Sequence, residues 1–473
     1  MSFCGFDIDK VRKLKRALDS AASGSPNLSG QVGRTTDEAN RWGVLGAGVS
    51  PRVLAGTASS GEDTDRKGLS TVQRQVPDVA AEVGRRLRHL IACKSLSDAG
   101  FTINPDVVFA DAPAPDVDTV RSTIKDLRKT LDSDDLGRGK DAYKLLDRLS
   151  PDEAEAVLAA LSDDDLGHLQ DALSKYDYVV TLGAADYLGL PSDKRIAFAN
   201  KYFPSLSRDV LRRLSTHVAA LEPDFGQLEG RDNTDQKDLH WAWAIDALNF
   251  GNDSPKDLDQ GDLGDCWFLA ALGSEVQRDP DFLRKHISDN GNGSFTVTLY
   301  KDGKPQQVVV DGALPYNSWN ATAFSHTPSD GANYPLIYEK AFAQLNGSYS
   351  AIEDGWGDEG MSALSGRHTT RKDSDDVSLA DLDKALHTDH KAVTIGSDSH
   401  HSGFLWLHKD EDFPGDHKIV CSHEYVVTDV DPKKGTITLR NPWGNSQSDT
   451  HPGTITITKD EYDKYFREAA FGD

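Results

Sequence analysis

The stretch that organises this chain is Gln260-Gly261-Asp262-Leu263-Gly264-Asp265-Cys266-Trp267-Phe268-Leu269-Ala270-Ala271. A loop with two glycines runs into a cysteine, and apolar residues follow at helical spacing through Val276 and Phe282. The pattern predicts a helix whose first turn carries the Cys266 thiol. Unpaired backbone N–H groups and the helix macrodipole at this position favour a thiolate. The sequence therefore predicts a nucleophilic sulfur.

Two later segments offer partners for this sulfur. His423 lies in a β-branched run that predicts a strand, and Asn441 follows a second predicted strand, Thr436 to Leu439. An imidazole exchanges a proton with the thiol, and a carboxamide orients the imidazole without adding charge. Gln260, ahead of the cysteine, is placed to donate to an oxyanion. The chain order Cys, His, Asn is similar to that of papain-like proteases.

From residue 240 to 473 the chain resembles the calpain family of cysteine proteases, in a bacterial-type form. The resemblance implies that Cys266, His423 and Asn441 form a catalytic triad. It also implies that Gln260 completes the oxyanion hole and that Trp443 packs beside the cleft. The motifs that carry it are QGDLGDCWFLAAL (260–272), VVVDGALPYN (308–317), YPLIYEKAFAQLNGSYSAI (334–352), HEYVVTDV (423–430) and RNPWG (440–444).

One position departs from the family pattern. Calpains usually have glycine before the catalytic histidine, and this chain has Ser422. Because serine is also small, we expect the change to affect substrate fit more than chemistry.

Each candidate residue also has an ordinary structural interpretation. A lone cysteine is usually a small buried hydrophobe, and this is our interpretation of Cys4 and Cys93. Alone, His423 would be a core histidine of a strand, Asn441 a turn former and Trp443 a core residue. Their common spacing to the cysteine motif favours the catalytic interpretation.

The predicted fold class is α+β, with a papain-like protease core of two lobes behind an all-α N-terminal region. The helical lobe carries the cysteine, and the β-rich lobe carries the histidine and asparagine. The predicted divisions are a helical region with a mobile loop (1–102), a linker (103–118), a helical bundle with a weak internal repeat (119–225), a polar linker (226–239) and the two lobes (240–365 and 366–473).

Hydrophobic periodicity and turn residues predict the individual elements. In the N-terminal region these are helices over 7–22 and 71–93, separated by a loop over 46–70. In the first lobe they are strands 294–300 and 306–310, a helix 337–345 and a glycine-rich loop 354–366. In the second lobe they are a helix 379–386 and strands 392–396, 404–407, 419–430, 436–440 and 453–458.

Composition limits the classes of function. The net charge of −24 over 473 residues argues against nucleic-acid binding. No run of about 18 apolar residues predicts a membrane span, and no apolar segment follows the basic N-terminus as in a secretory signal. Four cysteines without framework spacing predict no disulfide scaffold. We expect a cytoplasmic protein, or one exported without a Sec signal, that uses no organic cofactor.

The calpain resemblance also implies calcium. Asp257 and Glu339 stand where the first lobe of calpains has carboxylate ligands, and hard oxygen donors suit this ion. The alternative is that they pair with Lys256 and Lys340. Residues 445–449 lack the acidic and aromatic residues that calpains often show there, so no second-lobe calcium site is expected.

The main hypothesis is a calpain-like cysteine endopeptidase acting on proteins or peptides. Because the chain is expected to lack the C-terminal β-sandwich and EF-hand modules of animal calpains, control is expected from the N-terminal 240 residues. This half is predicted to be a pro-region or inhibitory cap, removed by self-cleavage within 226–239.

Two alternatives stay open. The helical half is a partner-binding or export module on a protease-derived scaffold, or the triad serves an acyltransferase. The opening helix and Trp42-Gly43 resemble small helical-hairpin proteins exported by bacterial type VII systems, although the usual Trp-X-Gly is not met.

Overall fold

The computed structural model describes residues 2–3, 6–22, 62–105, 113–181, 184–228, 238–399, 401–402, 409–410, 419–444 and 451–473. Several predictions fall outside these residues. They concern Cys4, Trp42-Gly43, the strand 404–407, residues 445–449, residues 106–112 of the linker 103–118 and most of the linker 226–239.

The described residues form helices in both halves of the chain. They are α1 (Ile8–Ala22), α2 (Glu62–Asp98), α3 (Val117–Leu131), α4 (Arg138–Asp147), α5 (Pro151–Ala160), α6 (Asp163–Ser174), α7 (Ser192–Tyr202), α8 (Arg208–His217), α9 (Cys266–Arg278), α10 (Phe282–His286), α11 (Tyr334–Asn346), α12 (Gly357–Ser365), α13 (Leu379–Asp383) and α14 (Lys459–Tyr465). A π-helical turn, Lys384–Thr388, extends α13.

The strands lie mainly in the C-terminal half. They are β1 (Ser2–Phe3), β2 (Phe6–Asp7), β3 (Asp177–Thr181), β4 (Ala184–Leu188), β5 (His240–Trp243), β6 (Ile287–Asp289), β7 (Ser294–Lys301), β8 (Lys304–Asp311), β9 (Ala313–Tyr316), β10 (Thr369–Asp373), β11 (Ala392–Ser397), β12 (His401–Ser402), β13 (Lys409–Asp410), β14 (Glu424–Asp431), β15 (Thr436–Arg440), β16 (Thr454–Thr458) and β17 (Phe466–Gly472).

Contacts divide the chain into two compact units, and the first contains residues 1–132, 143–162 and 205–207. In its core, apolar residues of α1 at helical spacing, such as Val11 and Leu18, pack with Val83 and Leu90 of α2. The Ser150 side chain and Glu153 form a capping box that begins α5. This unit is helical because local capping and amphipathic spacing agree along most of its length.

Two N-terminal predictions are wrong in detail. The predicted loop 46–70 overlaps α2, which begins at Glu62. The acidic residues at 62–65 come just before the apolar periodicity and favour a helix N-terminus at this position. This signal outweighs the Gly, Ser and Thr content, which favours a loop. The region is also not all α, because β3 and β4 form a hairpin in which Tyr178 faces Tyr187. Aromatic and β-branched residues explain these strands.

The second unit contains residues 133–142, 163–204 and 208–473. It therefore joins α6, α7 and α8 to the C-terminal half, whereas the predicted boundary lies at 226–239. The predicted domain boundaries stay a prediction. A physical reason for the difference is the fully buried Lys340 of α11, whose Nζ lies 2.7 Å from Glu222 and 2.6 Å from Asp311.

The C-terminal half combines helices with an antiparallel sheet. Its largest sheet has the strand order β10-β17-β11-β14-β15-β16, and a smaller one has the order β6-β7-β8. The mixed α+β class and the helical character of the N-terminal region are confirmed. No helix among the described residues is both long and apolar enough to cross a bilayer.

The predicted glycine-rich loop 354–366 is wrong, because α12 occupies most of it. A Cβ added to Gly360 would lie 2.7 Å from the Ala271 Cβ and 3.1 Å from the Trp267 carbonyl oxygen of α9. Glycine therefore permits close helix packing here instead of breaking a helix. The helix α12 also contacts β7, β10, β11 and β17.

Candidate active site

A cleft of about 840 Å³ contains most of the predicted site residues. Gln260, Cys266, His423 and Trp443 all line it. The helix α9 begins at Cys266, as the sequence predicts, and the side chain is partly exposed. Asn441 lies behind this wall and is buried. Residues far apart in the chain therefore meet at one place.

The imidazole of His423 is held by Asn441 at a defined nitrogen. The His423 Nε2 lies 2.8 Å from the Asn441 Oδ1. The Trp443 backbone N–H donates to the same Oδ1 at 3.0 Å, which identifies this atom as the amide oxygen. An oxygen that only accepts requires His423 to donate from Nε2. In the neutral ring the lone pair is therefore on Nδ1, which is the nitrogen left to accept a proton.

Aromatic rings enclose the same imidazole. The Trp443 ring centroid lies 4.9 Å from that of His423, and the Tyr425 centroid lies 5.0 Å away in an edge-on arrangement. Burial lowers the pKa of His423 to about 4, although the hydrogen bond that the ring donates to Asn441 opposes this shift. The ring is therefore neutral at physiological pH.

The Cys266 thiol is also affected by burial. Burial raises the pKa of Cys266 to about 12, although backbone N–H groups of Glu424 and Trp267 lower it. Desolvation therefore opposes the effect of the helix N-terminus on the Cys266 thiol, and the expected resting thiolate stays a prediction.

The raised pKa of Cys266 leads to a prediction about its alkylation. Because the folded thiol ionises only at high pH, the rate of Cys266 alkylation by iodoacetamide should rise steadily from pH 6 to pH 10. We expect no plateau near neutrality, since a plateau is the sign of a thiolate–imidazolium pair. Mass spectrometry of the modified peptide measures the rate, with Cys266→Ala as the blank. A pH-independent rate between pH 5 and pH 8 would restore the thiolate interpretation.

Gln260 has a different set of partners from the predicted one. Its buried Nε2 donates to the Leu263 carbonyl at 2.7 Å and to the Asp265 Oδ1 at 2.9 Å. The Oε1 atom has no partner among the described residues. Rotation of this amide would be needed to direct an N–H group at an oxyanion, so the oxyanion role of Gln260 stays a prediction.

Asp265, which the sequence interpretation overlooked, supports the loop before the cysteine. It is fully buried, and burial raises its pKa well above the ordinary range, helped by the charge of Glu339. Burial also raises the pKa of Glu339 to about 7. Glu339 accepts hydrogen bonds from the Ser325 hydroxyl at 2.6 Å and its backbone N–H at 3.2 Å. The two carboxyls therefore lie close enough to influence each other's pKa.

The two predicted calcium ligands do not lie together. Asp257 accepts from the backbone N–H groups of Ser254 at 3.0 Å and Asn252 at 3.3 Å. Burial raises its pKa to about 6, and the neighbouring carboxyl of Asp330 contributes to the shift. Two adjacent carboxyls suit a hard cation. Glu339 instead lies with Asp265, so the calcium site stays a prediction, with Asp330 as the observed neighbour of Asp257.

The alternative ion pairs for these carboxylates are not formed. Lys340 pairs with Glu222 and Asp311 instead of Glu339. The described residues include no ion pair between Lys256 and Asp257.

The residue before His423 has a strained backbone. Ser422 has φ +48°, in the left-handed region, and β14 begins after it at Glu424 instead of at the predicted 419. This conformation costs a non-glycine residue about 1–2 kcal/mol. It gives a backbone reason for the glycine that calpains usually have here.

We expect Ser422→Gly to stabilise the protein by about 1 kcal/mol, because glycine adopts positive φ without strain. Urea unfolding followed by fluorescence measures the change. Ser362→Gly in α12 is the matched control, and it should destabilise by about 0.5–1 kcal/mol. A destabilised Ser422→Gly variant would contradict the strain argument.

Glu424, directly after His423, is a second overlooked residue. Its strand partner is Gly396, which also pairs with Glu468. A Cβ on Gly396 would lie 2.7 Å from a Glu468 oxygen and 2.9 Å from a Glu424 oxygen, so the two carboxyls converge over the glycine. Burial raises the pKa of Glu424 to about 8 and that of Glu468 to about 7.

A raised carboxyl pKa means that the folded state holds the proton more tightly than the unfolded chain. The Glu424 contribution to stability is therefore present below the ordinary glutamate pKa and is lost as pH rises through about 8. We expect Glu424→Gln to be more stable than the parent at pH 9, by about 1–3 kcal/mol, and to differ less at pH 5. Urea unfolding at both pH values measures this, with the exposed Glu359→Gln as control. Equal differences at pH 5 and pH 9 would contradict it.

Comparison with known proteins identifies the class of the C-terminal half. Residues 227–454 match the family model described as calpain family cysteine protease. This segment is therefore a calpain-family cysteine protease domain, and the chain is a distant homologue of the calpains. The predicted resemblance is confirmed.

Individual relatives match part of the chain. Rat calpain-13 is 33% identical over 203 residues, covering 40% of this chain and 29% of the rat protein. Human calpain-8 is 31% identical over 246 residues, covering 47% of this chain and 33% of the human protein. The calpain-2 catalytic subunit of Macaca fascicularis is 28% identical over 243 residues, again covering 47% and 33%. The chain spans about a third of the length of these relatives.

Proposed function

We propose that this chain is a cysteine endopeptidase with a papain-like arrangement of two lobes, in which the Cys266 sulfur attacks the scissile carbonyl carbon. The observation that carries the proposal is the meeting of Cys266 and His423 in one cleft, with Asn441 bonded to the histidine. This is the Cys-His-Asn arrangement of thiol proteases.

The residues act in a defined order. The His423 Nδ1 accepts the thiol proton as the sulfur bonds to the carbonyl carbon, and the imidazolium then protonates the leaving amine. Water, deprotonated by the same nitrogen, hydrolyses the thioester and restores the thiol. Asn441 keeps Nε2–H engaged, so that Nδ1 always faces the reaction. The Cys266 backbone N–H, with Gln260 once its amide rotates, holds the oxyanion.

The pKa values of Cys266 and His423 indicate what substrate binding must change. A thiol whose pKa is about 12 beside an imidazole whose pKa is about 4 transfers no proton at rest. We propose that substrate binding and lobe closure change the surroundings of both groups and lower the cost of the ion pair. Calcium, if bound by Asp257 with Asp330, would supply fixed positive charge in the cysteine-bearing half.

The test is hydrolysis of casein by the purified chain, with and without calcium, together with labelling of Cys266 by an epoxide inhibitor. Labelling that blocks hydrolysis supports the peptidase. A chain that neither reacts with the epoxide nor cleaves casein in any condition would refute it. Transfer of the acyl group to added amines in preference to water would favour the acyltransferase.

Self-cleavage is a separate proposal, also based on the polar segment 226–239. Incubation beside Cys266→Ala tests it, since equal fragmentation of both would end the idea. The contacts of residues 163–228 with the rest of the second unit determine whether they stay bound after self-cleavage. Asn200 of α7 bonds the β8 backbone at the Val309 N–H (2.9 Å) and the Gln307 carbonyl (2.7 Å), and Phe225 stacks on Trp241. We expect residues 163–228 to stay bound after a cut.

A further inference from the structure

The first unit contains a buried cluster that plays no part in the proposed proteolysis. It consists of His89, Cys93 and Asp152, whose exposed fractions are 2%, 0% and 1%. His89 and Cys93 lie one turn apart on α2, and so they present their side chains on the same face. Asp152 comes from the first turn of α5. The cluster therefore joins two helices of this unit.

The donor atoms are already spaced for a metal ion. One ligand atom from each residue lies within 4.8 Å of the other two. The His89 Nε2 lies 2.9 Å from the Asp152 Oδ2, and the Cys93 Sγ lies 3.7 Å from the Asp152 Oδ1. A tetrahedral zinc ion with ordinary bond lengths separates a nitrogen and an oxygen ligand by roughly 3.4 Å, and a sulfur and an oxygen ligand by roughly 3.6 Å. The two measured contacts use different oxygens of Asp152, so a zinc ion would be held by both oxygens or by one of them after the carboxylate turns.

A buried polar atom at the same place lacks a partner. The His89 Nδ1 is buried and has no hydrogen-bond partner among the described residues. This nitrogen lies on the side of the ring away from the Nε2 that faces Asp152, so it would not be a ligand of an ion held at Nε2. The hydrogen bond between His89 and Asp152 therefore accounts for only one side of the ring.

We propose that His89, Cys93 and Asp152 bind Zn²⁺ and so link α2 to α5. A thiolate, an imidazole and a carboxylate together select zinc over calcium or magnesium, which prefer oxygen donors alone. The charges also balance, because one thiolate and one carboxylate neutralise the divalent ion while the imidazole stays neutral. A neutral assembly avoids the large cost of burying a net charge.

The competing explanation is a buried hydrogen-bonded histidine–aspartate pair with a nearby thiol. The two explanations differ in the role of the sulfur. In the pair, Cys93 is a small side chain that serine replaces without loss of any ion. In the metal site, the sulfur is a ligand and its removal weakens binding.

The experiment uses the full chain carrying Cys266→Ser, so that the cleft thiol does not contribute. Protein treated with a chelator is titrated with zinc against a chromophoric competitor, and cobalt(II) serves as the spectroscopic probe. We expect about one zinc ion per chain with sub-micromolar affinity, and a thiolate-to-cobalt charge-transfer band. X-ray absorption of the zinc form should show one sulfur neighbour.

Three variants locate the site. Cys93→Ser should weaken zinc binding roughly 100-fold or more and remove the cobalt band. Cys421→Ser and Cys4→Ser, which change the other two cysteines, should leave the zinc affinity and the cobalt band unchanged. Failure of the parent protein to compete for zinc, absence of sulfur around the bound metal, or full binding by Cys93→Ser would each overturn the proposal. The first two measurements need no Cys93 variant, so misfolding of that variant does not decide the result.

Discussion

Replacing Cys266 with alanine is expected to reduce kcat/KM for casein by roughly 10⁴-fold or more, because no other group performs the covalent step. The loss should fall on catalysis and leave the fold intact, since the side chain is small and partly exposed. Progress curves with a fluorescent casein measure the rate, and thermal unfolding of the variant shows that it is folded.

Cys421→Ala is the matched control for this loss. Cys421 is a second thiol on the same cleft, two positions before His423, and it is buried. Its removal deletes a sulfur without touching the proton transfer, so most of the activity should remain. Equal loss in both variants would indicate damage to the cleft, and activity in Cys266→Ala would refute the nucleophile.

Lys340→Met is expected to destabilise the second unit by about 3–5 kcal/mol, the range for removing one partner from a buried ion pair. The Lys340 ammonium is fully buried and donates to the Asp311 carboxylate at 2.6 Å and the Ala313 carbonyl at 2.7 Å. Burial lowers its pKa, but the charges of Asp311 and Glu222 outweigh this and raise it. Methionine fills the volume and leaves Asp311 without a counter-charge.

Urea unfolding of the full chain measures this change. Lys285→Met is the control, because Lys285 forms an exposed ion pair with Asp279 at 2.7 Å, and such pairs contribute about 0–1 kcal/mol. Adding Asp311→Asn to Lys340→Met should recover part of the loss by removing the uncompensated carboxylate. A loss no larger than that of Lys285→Met, or no recovery in the double variant, would contradict a buried charge cluster.

The same cluster bears on regulation. Burial and the charge of Asp311 raise the pKa of Glu222 to about 8, and the charge of Lys340 opposes this shift. Glu222 belongs to the segment that a pro-region would include, yet it is buried against α11. Loss of this segment would therefore leave the Lys340 ammonium without one of its carboxyl partners.

The residues that do chemistry could be predicted from sequence because each lies in a short, distinctive motif. The cysteine motif predicts a helix start at Cys266, and the structure begins α9 there. The spacing of His423 and Asn441 predicts their pairing, which is observed as the 2.8 Å contact. Sequence rules are enough to place a residue when its motif determines both the secondary-structure element and the identity of the side chain.

Properties that depend on burial could not be predicted in this way. The helix N-terminus and desolvation shift the Cys266 pKa in opposite directions, and only the packed cleft determines that desolvation is larger. The interaction of the Asp265 and Glu339 carboxyls joins two separate motifs, and neither motif alone predicts it. Likewise, Ser422 carries no sign in the sequence of the positive φ that the strand geometry imposes.

The helix α12 connects the two catalytic halves more closely than a flexible hinge would. It contacts α9, which begins at Cys266, and also β10, β11 and β17 of the largest sheet, and it packs on α9 through the close approach of Gly360 to Ala271. A single residue inserted or deleted in 357–365 would rotate the residues of α12 that pack on α9 relative to those that contact the sheet. Length variation among homologues should therefore be excluded from this segment, even though its composition is that of a tolerant loop.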